Sequence, residues 1–401
     1  MLSNRTNWAG AINSLTRERR RLAESGVDLI DLTESNPTKV GIDYPHDALA
    51  RIMGNALLRP YNPEGRGVRK AREAVARFLG AGDPDDIILT ASTSEAYSFL
   101  FKLLANPGDD VLAPVPGYPL LEHLASLENI ELRHTPLRFE DRWRVDVDEM
   151  RSRVSAKTRA VVVVHPNNPT GSYLRRDEQN AVAEICSEHQ MAIVSDEVFY
   201  EYSHGVVEAP YIGMSGHRPA ACHAGRVAER DDALSFSLGG LSKSAGLPHW
   251  KLGWIHVGGP TRVRKEALEG LELIADTFLS VSTLAQEALP AVLELAPSIR
   301  SMILQRVLRN WRSMEELIAS LPALQLLPCQ GGWSAVLRAP SLDSEDEMCS
   351  QLLGTAHVVV QPGYFYDFEG AGYLVVSLLP PTDRFDEGVR RIVRYFRQRL
   401  Q

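Results

Sequence analysis

Short apolar runs alternate with amphipathic stretches through the middle of the chain. Ile87-Ile-Leu-Thr90 precedes a helical pattern over Ser94 to Leu104, and Asp110-Val-Leu-Ala113 precedes one over Leu120 to Leu127. Arg159 to Val164 leads to Arg176 to His189, followed by Met191 to Ser195 and Ala233 to Leu238. Runs this short, rich in Val and Ile, read as strands buried on both faces. Their alternation with helical segments predicts a mainly parallel sheet with helices on both sides. Upstream, Ala11 to Glu24 reads as a helix and Leu29 to Thr33 as a short strand ending in the turn Ser35-Asn-Pro-Thr38. Val68, Ala71, Val75 and Phe78 recur at helical spacing within Gly67 to Leu79.

The tail differs. A long helical stretch runs from Arg262 towards Leu321, and Pro290 and Pro297 are expected to interrupt it. Gly332 to Leu337, Val358 to Val360, Tyr373 to Leu378 and a final helix from Phe385 to Leu400 follow. The expected fold is therefore α/β in two lobes. Residues 44–289 form a large, mainly parallel-sheet lobe; residues 290–401 form a smaller α+β lobe, which the segment 1–43 joins.

Composition narrows the function. A chain of 401 residues, 44% of them hydrophobic, suits two cores, since single cores stop growing near about 250–300 residues. The net charge of -8, with both signs mixed along the chain, excludes the basic face of a nucleic-acid binder. Apolar runs such as Ala160 to Val164 are far below the roughly 20 residues that cross a bilayer, and the first residues hold no apolar stretch of signal-peptide length. Cys186, Cys222, Cys329 and Cys349 are scattered without a CxxC pair. That spacing argues against a disulfide framework or a zinc site and suits a reducing, cytoplasmic setting.

Several turns at strand ends carry candidate chemistry. Leu241-Ser-Lys-Ser-Ala-Gly-Leu-Pro-His-Trp-Lys-Leu-Gly253 is, on its residues alone, either a surface lysine in a Gly/Pro loop or a reactive one. Asp196 ends the apolar run Ile193-Val-Ser. His165-Pro-Asn-Asn-Pro-Thr-Gly171 and Pro114-Val-Pro-Gly-Tyr-Pro119 are good turns. They sit where open α/β sheets bind ligands. Thr90-Ala-Ser-Thr-Ser-Glu-Ala96 opens a helix; Ser92 and Glu95 have capping-box spacing, and free N–H groups there also attract phosphate.

Taken in order, these pieces resemble the class I/II aminotransferases, pyridoxal 5′-phosphate enzymes of fold type I, from Asn36 to Ser377. The resemblance implies that Lys243 holds the cofactor as a Schiff base and later moves the substrate's α-proton. It implies that Asp196 meets the pyridine nitrogen, Asn168 the ring oxygen, and Tyr118 the ring face. Thr93, Ser94, Ser242 and Lys251 would anchor the phosphate, joined by Tyr61 from the neighbouring subunit of a homodimer. Asn36 and Asn168 would bind substrate. The expected reaction moves an amino group between an amino acid and a 2-oxo acid; the alternatives are another fold type I reaction, such as C–S lysis or a synthase step, and a cofactor-binding protein of weak turnover.

Three positions depart from that pattern. Lys251 stands for the usual arginine and lacks its planar fork. Phe199 stands for a tyrosine that donates to the ring oxygen, with Tyr200 next to it as the candidate substitute. In Leu374-Val-Val-Ser377, Val375 stands for the arginine that clamps the substrate carboxylate, and no arginine occurs between Arg338 and Arg384. Arg338, Lys39 or Asn168 would then hold the carboxylate, or the substrate carries none there. Phe365 and Tyr366 read equally as an aromatic pocket wall or as core.

Overall fold

The computed structural model describes residues 3–6, 14–80, 82–205, 224–340 and 343–401. The expected helix start at Ala11, and Cys222, lie outside the described residues. Helix α1 (Ser14–Glu24) leads to a two-residue strand, β1 (Ile30–Asp31), and to helices α2 (His46–Ala56) and α3 (Arg69–Leu79). Alternation then begins with β2 (Ile87–Thr90), α4 (Thr93–Leu104), β3 (Asp110–Val115) and α5 (Leu120–Leu127). Next come β4 (Glu131–Phe139), β5 (Trp143–Val145), α6 (Val147–Arg153), β6 (Thr158–Val164), α7 (Arg176–Glu188) and β7 (Ala192–Asp196). The large lobe continues through β8 (Ser235–Gly240), the single turn α8 (Leu241–Ser244), and β9 (Gly253–Gly258).

Its sheet has the order β2-β9-β8-β7-β6-β3-β4-β5. The central pairs β8–β7, β7–β6, β6–β3 and β3–β4 are parallel. Every residue of β2, β3, β7 and β8 is buried. That burial on both faces is why these strands read as unbroken apolar runs rather than as alternation. Strand β9 was not expected from the sequence; it inserts antiparallel between β2 and β8.

Helices α9 (Thr261–Phe278) and α10 (Thr283–Ile318) follow. The break lies between them, after Leu279 at φ 45°, and not at the prolines. Both Pro290 and Pro297 sit inside α10. Leu289, Val292, Leu293, Ala296 and Ile299 of this helix are buried in the main core. Large buried side chains contribute about 1.5–3 kcal/mol each. Together they offset an interior-proline cost of about 3 kcal/mol apiece. The boundary expected at 289/290 thus falls within one continuous helix, whose core cluster includes Leu241 and Leu247 of the large lobe and Val376 and Leu378 of the small one.

The small lobe contains β10 (Gln325–Leu326), β11 (Ser334–Arg338), α11 (Glu345–Gln351), β12 (Val358–Val359), β13 (Gln361–Pro362), β14 (Tyr373–Ser377) and α12 (Thr382–Arg399). Strands β10-β11-β14-β13 make an antiparallel sheet with Ser334 opposite Ser377 and Val336 opposite Val375. Pairing of β1 with β12 ties the N-terminal segment to this lobe. Among the described residues, no helix is long and apolar enough to cross a membrane.

Candidate active site

Register brings the candidate residues to one edge of the large sheet. Thr90 ends β2 opposite Gly253, and Gly240 ends β8 opposite the same residue. Asp196 ends β7 level with Val164 of β6 and Leu238 of β8. The turns bearing Thr93 and Ser94, Tyr118, Asn168, Asp196, and Ser242 and Lys243 therefore open on the carboxyl side of the parallel strands, together with Lys251 at the start of β9. Space is tight where they meet. A Cβ on Gly253 would lie 3.0 Å from the Gly239 carbonyl oxygen and 3.1 Å from Thr90 Oγ1, so a side chain there would fit only if these neighbours gave by a few tenths of an ångström.

Lys243 is half-buried on α8. Tyr202 donates its hydroxyl to the Lys243 carbonyl at 2.8 Å, and Tyr44 donates to the Gly246 carbonyl at 2.6 Å. Gly246 has φ 64°, and a Cβ there would come 2.5 Å from Ile303 Cδ1. Backbone conformation and two phenols thus set the lysine's turn. Burial lowers the amine's pKa, and the Asp196 charge opposes that shift. The Nζ lies 4.9 Å from the Trp333 ring centre and 5.6 Å from that of Phe199.

Asp196 is buried. Its Oδ1 accepts from the Val198 amide at 3.2 Å and its Oδ2 from the Tyr97 hydroxyl at 3.3 Å. Burial pushes its pKa up to about 6, against the opposing pull of these bonds. A carboxylate so placed is stabilised by any cationic N–H brought against it. Tyr97, on α4, escaped the sequence reading; its place in the first turns of a helix opening on the site was the available signal.

The turn after β6 divides its two asparagines. Asn167 is structural: its amide nitrogen donates to the Pro116 carbonyl at 3.2 Å and its oxygen accepts from the Thr170 hydroxyl at 2.8 Å. Asn168 accepts from the Ser334 hydroxyl of the small lobe at 3.2 Å. That bond directs the Asn168 NH2 group away from Ser334. Ser334, like Trp333, was not expected at the site, because both come from the other lobe. Tyr118 is 40% exposed, and its turn is held by the Gly117 amide donating to the Tyr366 carbonyl at 2.9 Å. A large part of its ring is thereby left free to cover a ligand.

At the start of α4 half of the expected capping box forms: Ser92 caps the helix, but the Glu95 carboxylate reaches the amide one residue before the cap. Glu95 N–H donates to Ser92 Oγ at 3.1 Å, and the Glu95 carboxylate accepts from the Ala91 amide at 2.6 Å. The amides of Thr93 and Ser94 lie in the first turn, where helix geometry provides no partner. Lys251 is exposed at φ 50°, and Ser242 is half-buried on α8. Lysine, carboxylate, amide, aromatic face and helix start fit pyridoxal 5′-phosphate group by group: aldehyde, ring nitrogen, ring oxygen, ring plane and phosphate.

Other expected residues lie differently. Tyr200 is turned into a separate cluster rather than towards the lysine. Its ring stacks under the Arg226 guanidinium at 4.1 Å, and its hydroxyl donates to the Ala224 carbonyl at 3.4 Å. Arg226 is in turn fixed by Glu197 at 2.9 Å and by Glu201, which explains the orientation. It is Phe199 that faces Lys243. Asn36 spends its side-chain oxygen on a local turn, accepting from the Thr38 amide at 3.1 Å and the Thr38 hydroxyl at 2.7 Å. Tyr61 stands 71% exposed on its own protomer.

Val375 is 1% exposed and packs with Val336, Trp143, Tyr366, Phe368 and Tyr373. Tyr366 belongs to this core, its hydroxyl donating to Gln361 at 2.6 Å, with Phe365 packed against it. Arg338 is exposed at the far end of β11, 5.8 Å over the Tyr373 ring, and Lys39 is also exposed.

The family described as aminotransferase class I and II matches residues 55–392. Glutamate-pyruvate aminotransferase AlaA of Haemophilus influenzae is 26% identical over 394 residues, covering 94% of this chain and 93% of that protein. Nicotianamine aminotransferase A of Hordeum vulgare is 34% identical over 260 residues, 62% of this chain and 52% of that protein. The structure of an alanine aminotransferase from Pyrococcus furiosus superposes with a TM-score of 0.87 at 23% identity, covering 99% of this chain and 100% of that one, which shows a shared fold.

Proposed function

The chain belongs to the class I and II aminotransferases, and from that premise we propose that it moves an amino group between an amino acid and a 2-oxo acid using pyridoxal 5′-phosphate held on Lys243. The observation that carries this reading is a half-buried lysine of lowered pKa on the same sheet edge as a buried aspartate. When bound, the cofactor supplies an aldehyde carbon for the amino group and a ring that takes up the electron pair left by the α-proton.

This chain's residues do the rest. Lys243 Nζ is a neutral amine for more of the pH range than an exposed lysine, so it can both attack a carbonyl carbon and take a substrate α-proton. Asp196 holds a proton on the facing ring nitrogen, because its own ionisation in a buried place needs that cation. Tyr97 keeps the carboxylate aimed. Asn168 offers its NH2 to an oxygen anion, with Ser334 holding its other end. Tyr118 covers one ring face and limits water. Thr93, Ser94, Ser242 and Lys251 form a cradle of hydroxyls, helix-start amides and one ammonium for a phosphate.

A second copy of the chain completes this cradle through Tyr61. Leu57, Leu58, Tyr61, Leu273, Phe278 and Leu279 are all exposed, more large apolar surface than a monomer keeps without use. Residues 61–65 and 279–281 border one hollow, so a single interface would carry Tyr61 across. Buried, unpaired Cys186, Cys329 and Cys349 support a cytoplasmic setting.

The test is to incubate the purified chain and cofactor with a panel of amino donors plus 2-oxoglutarate or pyruvate. The expected products are the 2-oxo acid of the donor and the amino acid of the acceptor, in equal amounts. Pyruvate and ammonia formed without any acceptor would replace transfer with elimination.

A further inference from the structure

The backbone of the lysine turn is fixed by hydrogen bonds, yet the Lys243 Nζ makes none with the described residues. It rests instead against two ring faces, Trp333 at 4.9 Å and Phe199 at 5.6 Å. These rings meet edge to face at 5.2 Å, and Tyr202 leans on Trp333 at 5.0 Å. Trp333 is 2% exposed, with its backbone pinned on both sides: its carbonyl accepts from the Leu378 amide at 2.7 Å, and the Gly332 amide donates to Tyr202 at 2.9 Å. Its buried indole N–H has no partner among the described residues. Packing alone therefore holds the ring, and what it presents to the lysine is its π face.

We propose that Trp333, acting with Phe199, is a positioning residue for amino transfer: the two ring faces seat the Lys243 nitrogen over the site and favour its charged form while it is joined to the cofactor, whereas the released amine stays largely neutral through burial. This rests on Lys243 being the cofactor lysine. A cation within about 6 Å of a ring centre is drawn to the electron-rich face, to tryptophan most of all. Burial drives the amine towards neutrality; the two faces and the Asp196 carboxylate pull it back. The remaining groups around the turn do not face Nζ. The Tyr202 and Tyr44 hydroxyls go to the carbonyls of Lys243 and Gly246, and the Arg300 guanidinium lies 3.5 Å from that of Ser244. Phe199 cannot donate a hydrogen bond as a tyrosine would, so steering here is by ring faces. Because Trp333 arrives from the small lobe and Lys243 from the large one, the lysine is seated fully only when the lobes are together.

The experiment is a pH titration of the absorbance of the cofactor bound to the full chain, whose forms differ by a proton on the lysine nitrogen. Trp333→Leu is expected to move the midpoint down by about one pH unit. Trp333→Phe keeps a ring and should move it by less than half as much, with Phe199→Leu between the two. In the Leu variant kcat should fall while KM stays nearly constant, the split expected of a residue acting through the lysine. A midpoint that is unchanged, or raised because water enters, overturns the proposal. If Trp333→Leu does not fold, the absence of any downward shift in both Phe199→Leu and Trp333→Phe overturns it equally. Failure of the parent protein to bind the cofactor, or the same absorbance in Lys243→Ala, would instead remove the reading of the site itself.

Discussion

The carboxyl edge of the large sheet and the face of β11 and β14 meet at the same site but are built from opposite materials. The first gathers turn residues, strand-end acids and a helix start, because parallel strands all release their chains on one side. The second is apolar from Val336 and Val375 outward, capped by Trp143, Phe368 and Tyr373. Its end nearest the large lobe is polar, where Ser334 reaches Asn168, and Arg338 stands exposed at the other end over Tyr373. The difference separates two tasks. Most of the groups proposed to hold the cofactor come from the large lobe, whereas the other lobe brings Trp333 and Ser334 to them and, at the place of the family's guanidinium, presents the buried Val375.

Lys243→Ala should give the largest effect on the polar edge. Turnover in a transfer assay is expected to fall about 10,000-fold, since one nitrogen serves as both nucleophile and base. On the apolar face, Val375→Arg would bury a guanidinium without an acid partner and cost about 3–5 kcal/mol in a denaturant melt. A stable variant with a lower KM for amino acids would show instead that this face is an open carboxylate subsite, and the contrast between the lobes would fail.

Asp196→Asn sharpens the contrast through pH. The folded-state pKa of about 6 lies above the ordinary carboxyl value, so the folded apoprotein binds more protons than the unfolded chain between about pH 4 and pH 6. Its stability should therefore fall as pH rises through that window. The Asn variant lacks this penalty, so above pH 6 its apoprotein should be up to about 3 kcal/mol more stable than the parent, the gap closing near pH 4. Its turnover should drop about 100- to 1,000-fold. Thermal melts of both apoproteins across pH check the first part; equal curves would mean the carboxylate carries no burial cost.

Smaller effects separate two neighbours. Phe199→Tyr places a phenol beside the lysine and should lower the midpoint of the bound cofactor's absorbance by about half a unit, the worth of one hydrogen bond. Tyr200→Phe should leave that midpoint in place and cost about 1 kcal/mol of stability, since it removes the long bond to Ala224 and leaves the ring under Arg226. The reverse pattern would mean that Tyr200 turns inward in the working protein.

Much of the polar edge was legible because its residues sit in turns whose neighbours in sequence are their neighbours in space. Asp196 ends its own strand, and Lys243 follows its own strand directly. Tyr97, Trp333 and Ser334 were not legible. Their roles depend on contacts across about 90 to 170 residues of chain, and nothing local distinguishes Trp333 from a core tryptophan. Tyr200 shows the same limit, since Arg226 and its two glutamates decide its direction. The fold followed a similar rule. Buried strands announced themselves, while β9 was overlooked beside the lysine motif and the prolines of α10 read as breaks because the burial that tolerates them is tertiary.

The most direct measurement is a half-reaction without an acceptor. The full chain, loaded with one equivalent of pyridoxal 5′-phosphate, is mixed with a donor found active in the panel, and 2-oxo acid and ammonia are counted. The account predicts one equivalent of 2-oxo acid per Lys243, no ammonia, and recovery of the retained nitrogen on a second 2-oxo acid added afterwards. Continuous release of ammonia, or the same yield from Lys243→Ala, would contradict it.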